Sequence, residues 1–524
     1  MSQKPFTKLS EFLFQPKSSF WLLIACSFWL AGLAWVRPLS LPDEGRYVGV
    51  AWEMLNSRNW LVPTLDGLPF FHKPPLFYWI TAASLEIFGP IEWAGRAASF
   101  WAAIIAVYKT HSFIKKYRDK LTADLTAIIL STQPFFFGAA QYANLDMLVA
   151  SMITLTVLNI ADAAICLDQE KPATLQLLSG YLTAALGMLA KGLIGIVLPA
   201  LIIFVWLTVT GRLRLFFRLI NPLFIFITIA IASPWFIAMS SKFPQFFEYF
   251  FVEQHFRRFS GTGFNNARPF WFYIPVLILL IFPWSIWFIR AAKNYITQKL
   301  NDELGLSSLM VVWIAVILIF FSIPSSKLVG YILPTLPPIS VLLAIYTKHP
   351  ENTSFENKTL GWLGLTTIAS CILSSILIVY LRLHDSSGLY LLSRIEKLSF
   401  RPDAQLVMLG RYQYDLPFYL KSTSRAWVVN DWRDTEESKS DNWHKELSDA
   451  ARFAPEEAHR RLISPETFNA KVCEDGKRDF WIWANQEAIK QFPWFSSGEK
   501  IFENKKSVLM HVSFSEQDAI GACN

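Results

Sequence analysis

About eleven apolar stretches, each long enough to cross a hydrocarbon core in roughly 20 residues, dominate this chain and restrict it to an α-helical polytopic membrane protein. They lie near 19–37, 94–114, 122–141, 145–166, 174–190, 191–210, 220–240, 269–290, 305–323, 328–346 and 359–382. Composition agrees, with 53% hydrophobic and only 17% charged residues among 524. The 44 Phe and 21 Trp exceed what a helix bundle needs inside and suggest interfacial belts and apolar grooves open to membrane lipid. A net charge of +7 matters less here than where Lys and Arg fall, so it does not argue for nucleic acid.

Placement of the basic residues sets the topology. Lys4, Lys8 and Lys17 precede the first span and no small-residue cleavage site follows it, which predicts an uncleaved span with a cytoplasmic N-terminus. The stretch Leu76 to Phe88 is short and carries Glu86, so it is read as interfacial or re-entrant. Lys115 to Arg118, Arg212 to Arg218, Arg290 to Lys299 and Lys348 to Lys358 then share the N-terminal side. That is the positive-inside pattern, and it sends the C-terminus to the opposite face.

On that opposite face the polar residues gather. The loop Leu41 to Trp79 holds Asp43, Glu44, Arg46, His72 and Lys73, and the mouths of later spans add Asp146, Lys191, Lys327 and Tyr331. Charges this dense beside apolar spans are costly unless they line an aqueous cavity or bind something. Each has a plainer reading alone. Lys191 serves equally as a snorkelling lysine, Asp146 as a helix cap, and Glu44 as a favourable charge at a helix N-terminus. Their convergence on one face is what points to a site.

After Leu383 the charges concentrate. The β-prone runs Gln405 to Leu409, Arg425 to Val429, Phe480 to Trp483 and Val508 to Phe514 alternate with helical stretches, which predicts a small soluble α/β domain over 384–524 behind a membrane domain over 1–383. Cys473 and Cys523 are the cysteines outside the spans, and in an oxidising compartment they either pair or stay free. No internal repeat, P-loop or dinucleotide fingerprint is present.

A transferase facing away from the cytoplasm has no ready supply of nucleotide-activated substrate and needs a donor carried by the membrane. Cleaving a lipid-phosphate-linked sugar requires cations for the leaving phosphate, here Arg46, Lys73, Lys191 and Lys327. A hydroxyl acceptor also requires a carboxylate base, for which Asp43 leads.

The segments PDEGRY, FFHKPPLFYW, QYANLDMLVA, LGMLAKGLIGIVLPA, FFVEQHFRRFSG, RPFWFYIPVL and SKLVGYILPTLPP occur in that order over roughly residues 15–383. In order and spacing they resemble the aminoarabinose transferase branch of the GT-C glycosyltransferases, which is related to protein O-mannosyltransferases. GRYQYDLPFYL at 410–420 is similar to the family's periplasmic domain. The resemblance implies a GT-C membrane domain with periplasmic interfacial helices. It matches Asp43 to the catalytic aspartate, Asp146 to a second carboxylate, and Arg46 and Lys73 to residues that hold polyprenyl phosphate. Tyr331 matches a loop tyrosine, and His255 a histidine that in relatives joins a neighbouring carboxylate at a metal site. Here His72 stands where that carboxylate is often Glu. A divalent cation such as zinc would therefore rest on His72 and His255, short of the three or four ligands zinc prefers. A single span between TLPP and the soluble domain, where aminoarabinose transferases have more, leaves the sugar and acceptor open.

The reading that follows is a bacterial inner-membrane glycosyltransferase. It moves a sugar from a polyprenyl phosphate (undecaprenyl phosphate) donor to a periplasmic acceptor, lipid A or another envelope glycan, with inversion. A protein Ser/Thr hydroxyl is the alternative acceptor. A transporter or flippase of lipid-linked sugar is the rival of another class, disfavoured because the charges cluster at one interface rather than at the midplane.

Overall fold

The computed structural model describes residues 18–257, 266–297, 302–347, 357–384, 401, 404–433, 442–474, 478–489, 498–503 and 507–514. Each of the apolar segments falls on helix. Among the described residues four helices can cross a membrane by length and composition, Leu145–Asp168, Pro222–Lys242, the run from Val329 to Tyr346, and the run from Thr359 to His384. Shorter apolar helices, Ser18–Gly32, Leu76–Phe88, Ile194–Val209 and Leu306–Ser322, accompany them. Leu145–Asp168 is central. Its apolar window is 89% buried, packed by Ala97–Tyr117, Thr174–Lys191 and Ile194–Val209, whereas that of the peripheral run Thr359 to His384 is 22% buried. Peripheral helices present Phe28, Leu279, Ile289 and Phe226 outward, as lipid-facing surface does.

Prolines divide three expected spans. Segment 122–141 becomes Lys120–Thr132 and Pro134–Ala140, because Pro134 has no N–H to donate and forces Gln133 out of helical geometry (ψ 124°). Segment 269–290 is not one straight span. Phe270–Leu280 and Trp284–Thr297 meet at 108° around Pro283. Segment 328–346 begins as a tight 3₁₀ run, Val329–Thr335, and continues as Leu336–Tyr346, which starts with Pro337 and Pro338.

The C-terminal part, among the described residues, is a six-stranded mixed sheet accompanied by short helices. In spatial order it runs Leu462–Ile463, Trp427–Val429, Gln405–Leu409, Arg478–Asn485, Ser507–Phe514 and Glu499–Glu503. The first four strands are parallel and the last two pair antiparallel. Near-continuous apolar runs such as Val407 to Leu409 and Phe480 to Ala484 are buried on both faces, as parallel strands require. The leucine–isoleucine pair at 462–463 and the strand 499–503 escaped the sequence reading, the first through its length of two residues and the second through its charge. Cys523 and the side chain of Cys473 lie outside the described residues, so their pairing is not addressed.

The C-terminal sheet region sits on the helix Asp43–Ser57 of the first loop. Gly45 and Gly49, one turn apart, let the chain at Tyr414 approach the helix backbone. A Cβ at Gly45 would stand 3.1 Å from Tyr414 Cβ and 3.2 Å from the Asp415 nitrogen, and one at Gly49 would stand 3.1 Å from the Tyr414 carbonyl. Farther along the same face Trp52 Nε1 donates to the Ser422 carbonyl at 3.0 Å and Glu53 pairs with Arg425 at 2.8 Å. Glu53 also accepts the Asp66 and Gly67 amides of the two-stranded hairpin Thr64 to Pro69, and Asp66 accepts the Ala426 amide at 2.8 Å.

Candidate active site

Asp43 opens the helix Asp43–Ser57 and Arg46 follows one turn later, so both side chains leave the same end of the helix. The Arg46 guanidinium donates to Asp43 through one terminal nitrogen and to Glu446 of the C-terminal region through the other. It also lies over the Tyr47 ring, 5.1 Å from its centroid. Burial disfavours the cation, but the surrounding carboxylates override it and hold the Arg46 pKa well above its ordinary value.

Asp146 comes from a different element. Asn144, not Asp146, caps the helix Leu145–Asp168 by accepting the Asp146 amide at 2.9 Å, which leaves the Asp146 carboxylate free of the capping role considered for it. That carboxylate pairs with Lys191, the last residue of Thr174–Lys191, whose ammonium also stands 4.6 Å from the Tyr331 ring centroid. Lys191 is thus a partnered residue at a cavity wall rather than a snorkelling one. The fit is tight. A Cβ at Gly330 would stand 2.0 Å from Asp146 Oδ2, so the chain at 330 must be glycine for the carboxylate to remain there. Two close-packed glycines set Lys191 in turn, because a Cβ on Gly195 would stand 2.3 Å from the Gly187 carbonyl carbon.

These residues share one cavity of about 270 Å³. Asp43, Arg46, His72, Lys73, Asp146, Lys191 and Tyr331 all line it, joined by Gln254 and Asn266 of the large loop and by Lys445, Glu446 and Asp449 of the C-terminal region. Cations and carboxylates from five separate stretches of chain therefore face a common polar space. A larger, open cavity of about 360 Å³ between Thr156, Tyr181, Ile203 and Ile229 is apolar and carries no charged side chain.

Two residues of the expected charged face, Glu44 and Lys327, are placed elsewhere by this geometry. Glu44 does not reach the cavity. It is fully buried on the opposite side of its helix, where Arg37 and Arg96 grip it and the Ser40 and Ala143 amides donate to it at 2.8 and 2.7 Å. Burial alone would raise its pKa, but the two guanidinium groups win and bring it down to about 2. Lys327 is 4% exposed and spends its ammonium on the carbonyls of Arg268 (3.1 Å) and Pro324, bracing the loop that carries Tyr331 rather than lining the cavity.

For a metal, the ring of His72 stacks on Phe70 at 4.4 Å, and the side chain of His255 lies outside the described residues. Among the described residues no group of three His, Cys, Asp or Glu side chains is placed to hold an ion.

Arg37, Arg96, Glu446 and Asp449 were missed from the sequence. Arg37 closes one apolar segment and Arg96 lies at the start of another, where a basic residue reads as an interfacial anchor. Glu446 sits in an ordinary amphipathic helix start, 400 positions from Arg46. The Gly45-x-x-x-Gly49 spacing in the first-loop helix was the available signal that another backbone packs there.

Comparison with known proteins agrees with this architecture. Residues 72–238 match the family described as dolichyl-phosphate-mannose-protein mannosyltransferase. Over 344 residues, 66% of this chain and 62% of the relative, the sequence is 31% identical to an undecaprenyl phosphate-alpha-4-amino-4-deoxy-L-arabinose arabinosyl transferase of Enterobacter sp. (strain 638). A protein of the same name from Pseudomonas savastanoi pv. phaseolicola is 29% identical over 67% of this chain and 66% of its own. The chain thus spans less than two thirds of the length of these relatives. Among solved structures, ArnT from Cupriavidus metallidurans bound to undecaprenyl phosphate superposes with a TM-score of 0.79 at 20% identity, covering 95% of this chain and 98% of that one.

In class, then, this is a multi-pass membrane protein of the GT-C fold. Within that class it is related in sequence to the aminoarabinose transferase and protein O-mannosyltransferase-like family.

Proposed function

We propose that this protein transfers a sugar from a polyprenyl phosphate carrier to an acceptor in the bacterial envelope, lipid A being the first acceptor to test, with the cavity and the soluble domain on the periplasmic side of the inner membrane. The observation that carries the reading is the cavity itself, where Arg46, Lys73 and Lys191 stand with Asp43 and Asp146 at the mouth of a lipid-exposed bundle. Relatives named for undecaprenyl phosphate-linked donors support the choice of donor. The topology inferred from the basic loops supports the choice of face. We read the chain as two parts, a membrane domain over 1–383 and a soluble domain over 384–524.

In this reading Arg46 and Lys73 hold the phosphate. As the bond between the anomeric carbon and the phosphate oxygen breaks, the leaving oxygen takes the electron pair and the cations stabilise its charge. An acceptor oxygen attacks from the opposite face, inverting the centre, and a hydroxyl acceptor loses its proton to Asp43. A phosphate acceptor is already ionised and needs only positioning. Asp146, held by Lys191, is the second carboxylate of the site and orients the sugar or acceptor.

The direct test is whether purified protein releases free polyprenyl phosphate from a lipid-linked sugar in the presence of lipid A. Release with mass gained on lipid A supports both donor and acceptor. Movement of intact lipid-linked sugar across a vesicle without release would instead make it a transporter.

A further inference from the structure

Arg46 faces two carboxylates, and only one of them has work in the chemistry. Asp43 is the base of the proposed reaction, on which this inference rests. Glu446 belongs to the soluble domain and is held firmly. Asn442 caps its helix Trp443–Ala451 by accepting the Lys445 amide at 2.9 Å, which puts Glu446 in the first turn where a negative charge is favoured. Tyr414 Oη donates to Glu446 Oε2 at 2.6 Å, while Oε1 takes the Arg46 guanidinium. Tyr414 is itself seated on Gly45 and Gly49 of the Arg46 helix. The carboxylate therefore cannot swing clear without undocking the domain. Both partners are largely dry, with side-chain exposures of 16% for Arg46 and 11% for Glu446, so the pairing is weakly screened.

A lipid phosphate that binds Arg46 must share it with this fixed negative charge. We propose that Glu446 is a positioning residue supplied by the soluble domain, which aims Arg46 into the cavity and divides its charge so that spent polyprenyl phosphate is held loosely enough to leave. The soluble domain thereby completes the site, and its docking sets how strongly the site grips the carrier.

The test is the affinity of the full-length protein for polyprenyl phosphate in detergent or nanodiscs, alongside donor turnover. Glu446→Gln keeps the shape and removes the charge. It should bind polyprenyl phosphate about tenfold more tightly, from loss of a like charge within a few ångströms of the anion, and should turn over more slowly as product lingers. Glu446→Asp should return both values toward wild type. A purely structural Glu446 predicts unchanged or weaker binding in Glu446→Gln, and that result overturns the role. Wild-type release of polyprenyl phosphate is the separate control on the functional reading. Its failure would remove the reaction, whereas tighter binding by Glu446→Gln would still establish the charge-dividing contact.

Discussion

Asp43 and Arg46 are one helical turn apart, and their unequal exposure, 39% against 16%, leaves the carboxylate the more accessible to a bound acceptor. Replacing Asp43 with Asn preserves size and removes the proton acceptor. Asp43→Asn should abolish sugar transfer to a hydroxyl acceptor while the protein still inserts and purifies, and appreciable turnover would take the base role away from it. Gly330 makes a sharper test of Asp146. The Asp146 carboxylate fills the space a side chain there would take, and a methyl group could enter only by displacing it. Gly330→Ala should therefore cost little stability yet lower turnover at least about tenfold, the order expected when a reacting group is misplaced by about an ångström. Equal turnover in Gly330→Ala and wild type would show that the Asp146 position is not critical.

At the scale of elements, Glu44 ties together three pieces of chain. Arg37 follows the first span, Arg96 precedes Ala97–Tyr117, and the Ala143 amide belongs to the turn before Leu145–Asp168. A carboxylate whose folded pKa falls from 4.5 to about 2 contributes stability that is complete above about pH 4.5 and is lost as pH falls toward 2. The size of that loss is about 3 kcal/mol. Glu44→Gln should be less stable at pH 7, since it strands two buried guanidinium groups, and its thermal midpoint in detergent should lose the wild-type dependence between pH 4.5 and 2. A second element-level prediction concerns the docking face. Gly45→Val places bulk against Leu41, Tyr414 and the Asp415 amide, so it should cost about 1–3 kcal/mol and expose the soluble domain to limited proteolysis. A variant that resists protease like wild type would place the domain's anchorage elsewhere.

Across the whole molecule, the junction between the hairpin and the C-terminal sheet contains a buried carboxyl, Asp66, which accepts the Ala426 amide. Burial first, and then the neighbouring Glu53 carboxylate, push the Asp66 pKa up from 3.8 to about 8. A carboxyl with a raised folded pKa binds its proton more tightly in the docked state. Its contribution is therefore complete below about pH 3.8 and is lost as pH rises through about 8. Protease resistance of the C-terminal part should decline in wild type between about pH 4 and about pH 8 and level off above that. Asp66→Asn should remove the decline, and a variant that keeps it would assign the titration to another group.

The membrane class, the helix at each apolar segment and seven of the eighteen cavity-lining residues were legible in the chain itself. Transfer free energy decides which segments leave water, and it is a local property of about 20 residues. The same holds for charges at the mouths of spans, because a cation beside hydrocarbon is conspicuous wherever it lies. What the sequence left open depends on distances between remote residues. Asp43 and Glu44 are adjacent and chemically alike, yet helical geometry points one into the cavity and the other into a buried arginine clamp. Lys327 and Lys191 both stand at span mouths, and only tertiary packing gives one to backbone carbonyls and the other to Asp146. The bend of 108° around Pro283 and the arrival of Glu446 at Arg46 are likewise decided by how the elements pack. Local pattern thus determined where the chain meets lipid and where charge collects, and the assembled structure decided which of those charges share a cavity.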